Sequence, residues 1–387
     1  MAEIENLSTM ERILRLMSEK KASDVYLSGH SPVLIRINGV CVPVNSQELP
    51  NDGPRQLLAE ILPPERIREL EETSELNMAF GLAGIGRFRI SAMRQRGSLA
   101  AVIRFISVEI PSLASLAVPP ILSELVMEKR GLLLMVGATG TGKSTTLAAM
   151  LNHRNENATG HILTIEEPIE FLFKNKLSVV NQREVGIDTQ SAEIALKNAL
   201  RQAPDVIQIG EIRDRETMSA ALAYAQSGHL CVATMHANNS YQALNRILSF
   251  YPMEVRSTML GDLASGLRAI VSQRLLRTKA GTRTPAVEVL LNTKLIADLI
   301  EKGDFSSLKE AMEKSMAEGS QIFEQDIARL ITEGTIERQE GLANSDSPTN
   351  LMWRLQNDFN AKPKAPEPFD DPDDHPSFTE ITLDVNH

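Results

Sequence analysis

Residues 137–144 carry the most specific chemical motif of the sequence. They read G-A-T-G-T-G-K-S, which matches the phosphate-binding pattern G-x-x-x-x-G-K-[ST]. Glycines let backbone N–H groups approach phosphate oxygens, and the N-terminus of a following helix adds a positive dipole. Lys143 is expected to bridge the β- and γ-phosphates of ATP, and the Ser144 hydroxyl is expected to bind Mg²⁺. The residues predicted to contact the nucleotide are Gly137, Ala138, Thr139, Gly140, Thr141, Gly142, Lys143, Ser144 and Thr145.

An acidic residue follows a second apolar strand, predicted at 206–209. Residues 200–214 read L-R-Q-A-P-D-V-I-Q-I-G-E-I-R-D, and an apolar strand that ends in a carboxylate is the Walker B arrangement. Glu211 is therefore a predicted catalytic residue and, together with Ser144, a predicted Mg²⁺ ligand. Asp205 begins the strand and belongs to the opposite edge, so we expect it to cap or pair locally.

A third apolar strand, predicted at 161–165, also ends in carboxylates. Residues 161–171 read H-I-L-T-I-E-E-P-I-E-F, and ligands of open parallel sheets bind at the carboxyl ends of the strands. Glu166 is therefore the candidate for polarising an attacking water. Glu167 and Glu170 either support Glu166 or pair with basic residues.

Two histidines flank a fourth strand, predicted at 230–235. At roughly 3.3 Å per residue they lie about 23 Å apart, so His229 and His236 cannot contact the same nucleotide within one subunit. His236, at the carboxyl end, is the predicted catalytic sensor of the γ-phosphate. His229 is expected to be structural or to lie at a subunit interface.

Arginines are concentrated shortly before the phosphate loop. A planar cation stabilises charge on a leaving phosphoryl group, so such a cluster suits a nucleotide clamp or an arginine finger acting on a neighbouring subunit. The cluster comprises Arg87, Arg89, Arg94, Arg96 and Arg104, of which Arg96 and Arg104 are the predicted nucleotide contacts. Arg201, Arg213 and Arg215 are as readily explained as ordinary surface cations.

These residues need a sheet that gathers them at one edge. Apolar strands alternate with helical segments after residue 120, which predicts a parallel-rich α/β sheet. Strands are predicted at 131–136, 161–165, 206–209 and 230–235, and helices at 144–155, 191–201 and 215–226. The earlier part of the chain reads as a small α+β domain, with a helix at 4–20 and short strands beginning at Val25, Val33, Phe88 and Ala101.

The predicted domain boundaries follow from these patterns. The α+β domain covers 1–110, a proline-rich linker 111–120, the α/β domain 121–292 and a helical region 293–345. In the helical region we predict helices at 295–302, 305–318 and 322–333. Residues 346–387 form a predicted acidic, largely disordered tail, because 361–387 contain five prolines and a D-D-P-D-D run.

Composition narrows the possible functions. The chain has 387 residues and 42% hydrophobic residues, which is enough for two structured domains. It lacks an apolar run of roughly 20 residues and a secretory signal, so we expect a cytoplasmic protein. The net charge of −10 disfavours stable nucleic-acid binding. Cys41 and Cys231 are interpreted as buried small hydrophobes rather than a disulfide or zinc ligands.

Residues 5–345 resemble secretion-superfamily ATPases of the type IV pilus retraction branch, the PilT/PilU family. The phosphate loop, the acidic strand 164–171, the L-R-x-x-P-D…G-E-I-R-D block and T-M-H-A at 234–237 occur in the family's order. The resemblance implies a RecA-like P-loop NTPase domain preceded by a PAS-like domain, assembled as a homohexamer with ATP between neighbouring subunits. It also implies docking on an inner-membrane platform protein of the PilC type, at the cytoplasmic face, to drive pilus retraction, twitching motility and DNA uptake.

Within this family the sequence is more similar to the PilU branch. The supporting features are H-A-N-N at 236–239, the segment 290–300 with Ala297 where PilT-type motors carry an arginine, and the acidic C-terminal extension. These features imply an accessory motor that depends on a PilT-like retraction ATPase. The alternatives are a pilus-extension or type II secretion ATPase, a nucleic-acid translocase, and a regulatory ring component without catalysis.

Overall fold

A computed structural model describes residues 7–37, 39–82, 85–106, 109–315 and 317–358. Within these ranges the chain forms two sheets, one of six strands and one of seven. Among the described residues, every helix is too short or too polar to span a bilayer.

The N-terminal unit combines an antiparallel sheet with three helices among its described residues. In chain order its elements are α1 (Thr9–Glu19), β1 (Asp24–Ser28), β2 (Pro32–Ile37), β3 (Val40–Glu48), α2 (Gly53–Ala59), α3 (Pro64–Thr73), β4 (Glu75–Leu82), β5 (Gly86–Gln95) and β6 (Ser98–Ile106). The strand order is β3-β2-β1-β6-β5-β4, and each neighbouring pair is antiparallel. The four predicted strands are present, whereas β3 and β4 were not predicted.

Helix α1 starts later than its predicted bound because of a cap at Ser8. The Ser8 hydroxyl accepts a hydrogen bond from the Glu11 backbone N–H at 3.2 Å, and the Glu11 carboxylate accepts one from the Ser8 N–H. This reciprocal capping box stabilises the first turn of the helix by about 1 kcal/mol. The buried side chains Met10, Leu14 and Met17 then recur at helical spacing and pack on the sheet. Residues 4–6 of the predicted helix lie outside the described residues.

The larger unit is an α/β fold with a mixed, parallel-rich sheet. Its elements are α4 (Ile121–Leu125), β7 (Gly131–Val136), α5 (Lys143–Asn157), β8 (Gly160–Glu166), β9 (Ser178–Glu184), α6 (Ala192–Ala199), β10 (Val206–Ile209), α7 (Arg215–Gln226), β11 (Leu230–Met235), α8 (Ser240–Ser249), α9 (Arg256–Gly266), β12 (Leu267–Arg277) and β13 (Arg283–Leu291). The strand order is β13-β12-β7-β11-β10-β8-β9, and only the β12–β13 pair is antiparallel among these neighbours. The predicted strands 131–136, 206–209 and 230–235 are confirmed to the residue.

Strand β7 shows why the central strands are mostly apolar. Leu132 and Leu134 pack into one hydrophobic cluster, whereas Leu133 and Met135 pack into the cluster on the other side of the sheet. Because successive side chains point to opposite faces, a strand covered by helices on both faces has apolar residues at most of its positions. Because these strands are parallel, their carboxyl ends and the loops that follow them lie along one edge of the sheet.

Five helices follow the larger sheet in the described part of the chain. They are α10 (Lys294–Lys302), α11 (Leu308–Glu313), α12 (Phe323–Thr332), α13 (Arg338–Asn344) and α14 (Pro348–Asp358). The prediction of one helix over 305–318 is wrong, because α11 spans only six residues. The Asp304 carboxylate accepts hydrogen bonds from the Ser306 and Ser307 hydroxyls, and this local turn precedes the helix.

Helix α14 corrects the prediction of disorder from residue 346. Its residues Leu351 and Leu355, four positions apart, are buried and pack in a cluster with Phe323 and Ile327 of α12. This buried stripe supplies the apolar contact that composition alone did not reveal. The remainder of the predicted tail, 359–387, lies outside the described residues.

The two cysteines lie in different surroundings. Cys231 is fully buried in β11, and burial raises the pKa of its thiol. Cys41 is exposed in β3, which is an edge strand of the smaller sheet. The interpretation of both cysteines as buried is therefore wrong for Cys41.

Candidate active site

The phosphate loop joins the end of β7 to the start of α5. Lys143 is the first residue of α5, and its ammonium donates hydrogen bonds to the backbone carbonyls of Gly137 and Ala138, each at 2.8 Å. The side chain is buried, and burial lowers the pKa of Lys143, an effect that the nearby Glu211 and Glu170 oppose. The lysine charge is thus placed inside the loop, where phosphate groups bind in proteins of this motif.

Gly142 gives the loop its close approach to β12. Its φ of +85° lies in the left-handed region, and a Cβ at this position would come 2.8 Å from Nε2 of Gln273. The positive φ favours glycine, and a Cβ here would displace the Gln273 amide. The motif thus depends on a strand that lies far away in sequence.

Gln273 on β12 fixes the phosphate loop from behind. Its Nε2 donates a 2.8 Å hydrogen bond to the Thr141 carbonyl, and its Oε1 accepts a 2.8 Å bond from the Thr146 hydroxyl. Gln273 is only 2% exposed. Sequence reasoning did not select Gln273, although a glutamine within the apolar run of β12 was a detectable signal.

Replacing Gln273 with alanine is expected to weaken ADP binding roughly tenfold. The change removes two hydrogen bonds that order the loop, each contributing about 0.5–1.5 kcal/mol. Isothermal titration calorimetry with ADP measures the effect. Gln226→Ala is the matched control, because Gln226 is an exposed glutamine whose bond to Asp262 lies away from the loop. Equal affinities for both variants would contradict the assigned role.

Glu166 ends β8 as a buried carboxylate. Its side chain accepts hydrogen bonds on Oε1 from the Thr164 hydroxyl at 2.6 Å and from Nε2 of Gln182 at 3.0 Å. Burial raises the pKa of Glu166, and the two hydrogen bonds oppose that rise. A buried carboxylate with a raised pKa is a better proton acceptor than an exposed one, which suits a general base.

Glu211 is held between His236 and Arg213. Its Oε1 lies 3.2 Å from Nε2 of His236, and its Oε2 accepts hydrogen bonds from Nε and Nη2 of Arg213 at 2.9 and 2.8 Å. Nη1 of Arg213 also lies 3.2 Å from Oε2 of Glu167. The pairing with Glu211 raises the pKa of Arg213. Arg213 is therefore part of the site.

Four other residues considered from the sequence do not line the cavity beside the phosphate loop. Asp205, which directly precedes β10, accepts a hydrogen bond from the His161 N–H at 2.8 Å, so it pairs with the start of the neighbouring strand β8 rather than locally in sequence. His229 precedes β11 and bonds to the Ser227 hydroxyl at 3.0 Å, at the end of the strand opposite to His236. Arg215 stacks on the Tyr251 ring and Arg201 bonds to Asn198, so neither contacts the site.

A cavity of about 540 Å³ unites most of the predicted residues. Its lining includes Thr139, Gly140, Gly142, Lys143, Ser144, Thr145, Glu166, Glu211, His236 and Arg104. Gly137, Ala138 and Thr141 belong to the same loop but are not among the lining residues. The lining also includes Leu275 and Arg283, on β12 and β13, which sequence reasoning missed. Their strands were not predicted.

Arg104 and Arg96 have different positions on one β-hairpin. Arg104 lines the cavity, and its Nε donates a 2.9 Å hydrogen bond to Asp24. Arg96 lies in the turn between β5 and β6, where Gln95 pairs with Ser98, and it does not line the cavity. At roughly 3.3 Å per residue the turn is about 20 Å from Arg104. Within one chain Arg96 is therefore not among the residues that line the cavity, and its nucleotide contact stays a prediction.

Arg87 connects the arginine-rich sheet to the larger one. Its Nη2 lies 2.5 Å from Oε2 of Glu184, a buried carboxylate at the end of β9. The same oxygen accepts a 3.2 Å hydrogen bond from the Ile169 N–H. Arg87 therefore packs β5 against the strand next to Glu166, which places the neighbouring Arg104 over the cavity.

The fold and the site define an α/β P-loop nucleotide-binding protein. Residues 4–330 match the protein family described as "Type II/IV secretion system protein". The chain belongs to the type II/IV secretion system protein family.

Individual relatives cover most of the chain. The chain is 48% identical over 347 residues to the type IV pilus ATPase PilU of Pseudomonas aeruginosa. The aligned region covers 89% of this chain and 91% of that protein. It is 33% identical to the retraction ATPase PilT of the same organism, over 88% of this chain and 98% of that protein. A crystal structure of the pilus retraction motor PilT with bound ADP superposes with a TM-score of 0.84 at 36% identity, covering 90% of this chain and all of that one.

Proposed function

We propose that this chain is the ATP-hydrolysing subunit of a motor that powers or assists type IV pilus retraction. The observation that carries the proposal is the convergence of Glu166, Glu211 and His236 on the cavity beside the phosphate loop. A loop that only bound nucleotide would not need three such groups at one edge. The similarity to PilU and PilT supports the pilus as the site of action.

The roles follow from charge and position. Lys143 and the loop N–H groups bind the phosphates, and Arg104 adds a cation on the opposite wall of the cavity. Glu166 accepts a proton from the attacking water while the water is aligned with the γ-phosphate. His236, linked to Glu211, senses whether that phosphate is present.

Ser144 and Glu211 are suited to Mg²⁺. Both line the cavity and provide a hydroxyl and a carboxylate oxygen, which are ligands that Mg²⁺ prefers. When bound, the cation neutralises charge on the transferred phosphoryl group. The Arg213 and His236 contacts keep the Glu211 carboxylate aimed into the cavity.

The assembly is proposed to be a homohexamer at the cytoplasmic face of the inner membrane. The N-terminal unit, 1–110, is proposed to be PAS-like and to pack against the RecA-like domain, 121–292, of a neighbouring subunit. A platform protein of the PilC type is the proposed docking partner.

The protein is further proposed to act with a PilT-like ATPase rather than alone. Ala297 lies on α10, where retraction motors of the PilT type carry an arginine, and its side chain packs partly buried against the large core cluster. An alanine there offers no charge to a partner. Residues 346–358, which include α14, add a C-terminal element that packs on α12.

The test of this function measures hydrolysis and retraction with one variant. Purified wild-type protein is expected to hydrolyse ATP with Mg²⁺, and Glu211→Ala is expected to lose about 100-fold or more in turnover. Glu216→Ala is the matched control, since Glu216 is an exposed carboxylate in the first turn of α7. Wild-type activity no higher than that of Glu211→Ala would contradict the motor and favour a regulatory ring component.

The same proteins are then expressed in pilated cells that lack both this protein and the PilT-like ATPase. We expect the wild type alone not to restore retraction, and the pair to restore it fully. Together with the PilT-like ATPase, Glu211→Ala is expected to restore less retraction than the wild type does. Retraction driven by this protein alone would overturn the accessory role but leave hydrolysis intact.

A further inference from the structure

Strand β12 carries three consecutive polar side chains in an otherwise apolar stretch. They are Ser272, Gln273 and Arg274. Since successive side chains of a strand point to opposite faces, Gln273 reaches the phosphate loop while its two neighbours point away from it. Ser272 and Arg274 both reach groups around the start of α8, which directly follows His236 and the loop 237–239.

Arg274 joins this loop to the C-terminal region. Its Nη2 donates a 3.2 Å hydrogen bond to the carbonyl of Asn238, and its Nη1 donates to the carbonyl of Asn344. Nη2 also forms an ion pair with Asp346, and the guanidinium lies 4.0 Å from the centroid of the Phe323 ring. The side chain is only 18% exposed, so its contacts are little screened by solvent.

Asp346 completes a second connection to the same loop. While one carboxylate oxygen pairs with Arg274, the other accepts a 2.9 Å hydrogen bond from Nδ2 of Asn239. Asn239 is the N-cap of α8, where its side chain accepts a bond from the Gln242 N–H at 2.9 Å. Asp346 therefore restrains the loop through two side chains at once.

The start of α8 is anchored from the opposite side by Glu288. Its Oε1 accepts hydrogen bonds from the backbone N–H and the hydroxyl of Ser240, each at 2.8 Å, and from the Ser272 hydroxyl at 2.9 Å. A buried carboxylate at a helix N-terminus is favoured by the free N–H groups and the helix dipole. The loop between His236 and α8 is thus held where it enters the helix, at residues 238–240.

We propose that Asp346 is a positioning residue that sets His236 against Glu211. Acting through Arg274 and Asn239, it fixes the loop 237–239 and hence the direction of the His236 side chain at the end of β11. The proposal rests on the proposed ATP hydrolysis. By this proposal the segment before α14 influences the turnover rate, although Asp346 itself does not line the cavity.

The first test separates positioning from general stabilisation by kinetics. Asp346→Ala is expected to lower kcat about tenfold with KM for ATP within about twofold, because only the alignment of His236 changes. In a His236→Ala background the same substitution is expected to have no further effect on kcat. Glu333→Ala is the control, since it removes an exposed carboxylate that pairs with Arg329 in the same C-terminal region.

The second test does not depend on hydrolysis. Hydrogen–deuterium exchange of the full-length protein is expected to rise at least about threefold in the segment 236–243 of Asp346→Asn, which keeps the side-chain size. The segment is expected to be unchanged in Glu333→Ala. Asp346→Asn replaces Asp346→Ala in the kinetics if melting shows that the alanine variant does not fold.

Three results would overturn the positioning role. They are an unchanged exchange rate in 236–243, an unchanged kcat, or a kcat loss that adds fully to that of His236→Ala. Absence of wild-type hydrolysis would instead refute the proposed function, and the exchange result would still decide whether Asp346 restrains the loop.

Discussion

Lys143→Ala is expected to weaken the binding of ADP and ATP by about 100-fold or more. The ammonium is already enclosed by the loop, where it bonds to the Gly137 and Ala138 carbonyls, and its charge is supported by Glu211 and Glu170. A charge-assisted hydrogen bond contributes about 1.5–3 kcal/mol, and loss of two such bonds to phosphates corresponds to roughly 10²–10⁴ in affinity. Turnover is expected to fall below detection for the same reason.

Titration calorimetry with ADP and with a non-hydrolysable ATP analogue measures the loss. Lys197→Ala, which removes an exposed lysine of α6, is the matched control and should bind as the wild type does. Thermal melting without nucleotide should show Lys143→Ala to be folded, because removing a buried cation also removes its desolvation cost. A dissociation constant within threefold of the wild-type value would exclude Lys143 from phosphate binding.

The central strands were predictable because their pattern is set by burial on both faces. Strands β7, β10 and β11 are short and mostly apolar, with Gln208 in β10 and Thr234 in β11 as single polar residues, so their limits were visible in the sequence. A parallel sheet then forces the residues after these strands to one edge. This is why Glu166, Glu211 and His236 could be grouped before any coordinates were known.

Strands β12 and β13 were missed because polar residues interrupt them. Gln273 and Glu288 are buried within these strands, and their hydrogen bonds come from tertiary partners. Gln273 bonds to the Thr141 carbonyl and the Thr146 hydroxyl, and Glu288 bonds to Ser240 and Ser272. Such partners cannot be read from local periodicity. Leu275 and Arg283 were missed as cavity residues for the same reason.

The two arginines illustrate a second limit. Arg96 and Arg104 are eight residues apart and look equivalent in sequence, yet the hairpin register puts one in a turn and the other on the cavity wall. Contact with the cavity also depends on the Arg87–Glu184 ion pair, which joins parts of the chain 97 residues apart.

Helix α14 was missed because its stabilising contacts, with Phe323 and Ile327, lie on another helix.

Glu166→Gln is expected to retain nucleotide binding while kcat falls about 10²–10⁴-fold, the range ascribed to loss of a general acid or base. The amide has nearly the same shape, and its oxygen can still accept the hydrogen bonds from Thr164 and Gln182. The substitution therefore removes proton acceptance with little change in packing. Binding is measured with ADP and turnover by steady-state phosphate release, with Glu156→Gln as control at the far end of α5.

The pH dependence of the wild type provides an independent check on the same residue. Burial raises the pKa of Glu166, so the carboxylate becomes protonated at a higher pH than an ordinary glutamate. A base must be unprotonated to act, so kcat is expected to fall as the pH is lowered through this raised pKa, while nucleotide affinity changes little. Loss of ADP binding in Glu166→Gln, or a kcat that is flat through the acidic range, would instead make Glu166 a structural carboxylate that supports the end of β8.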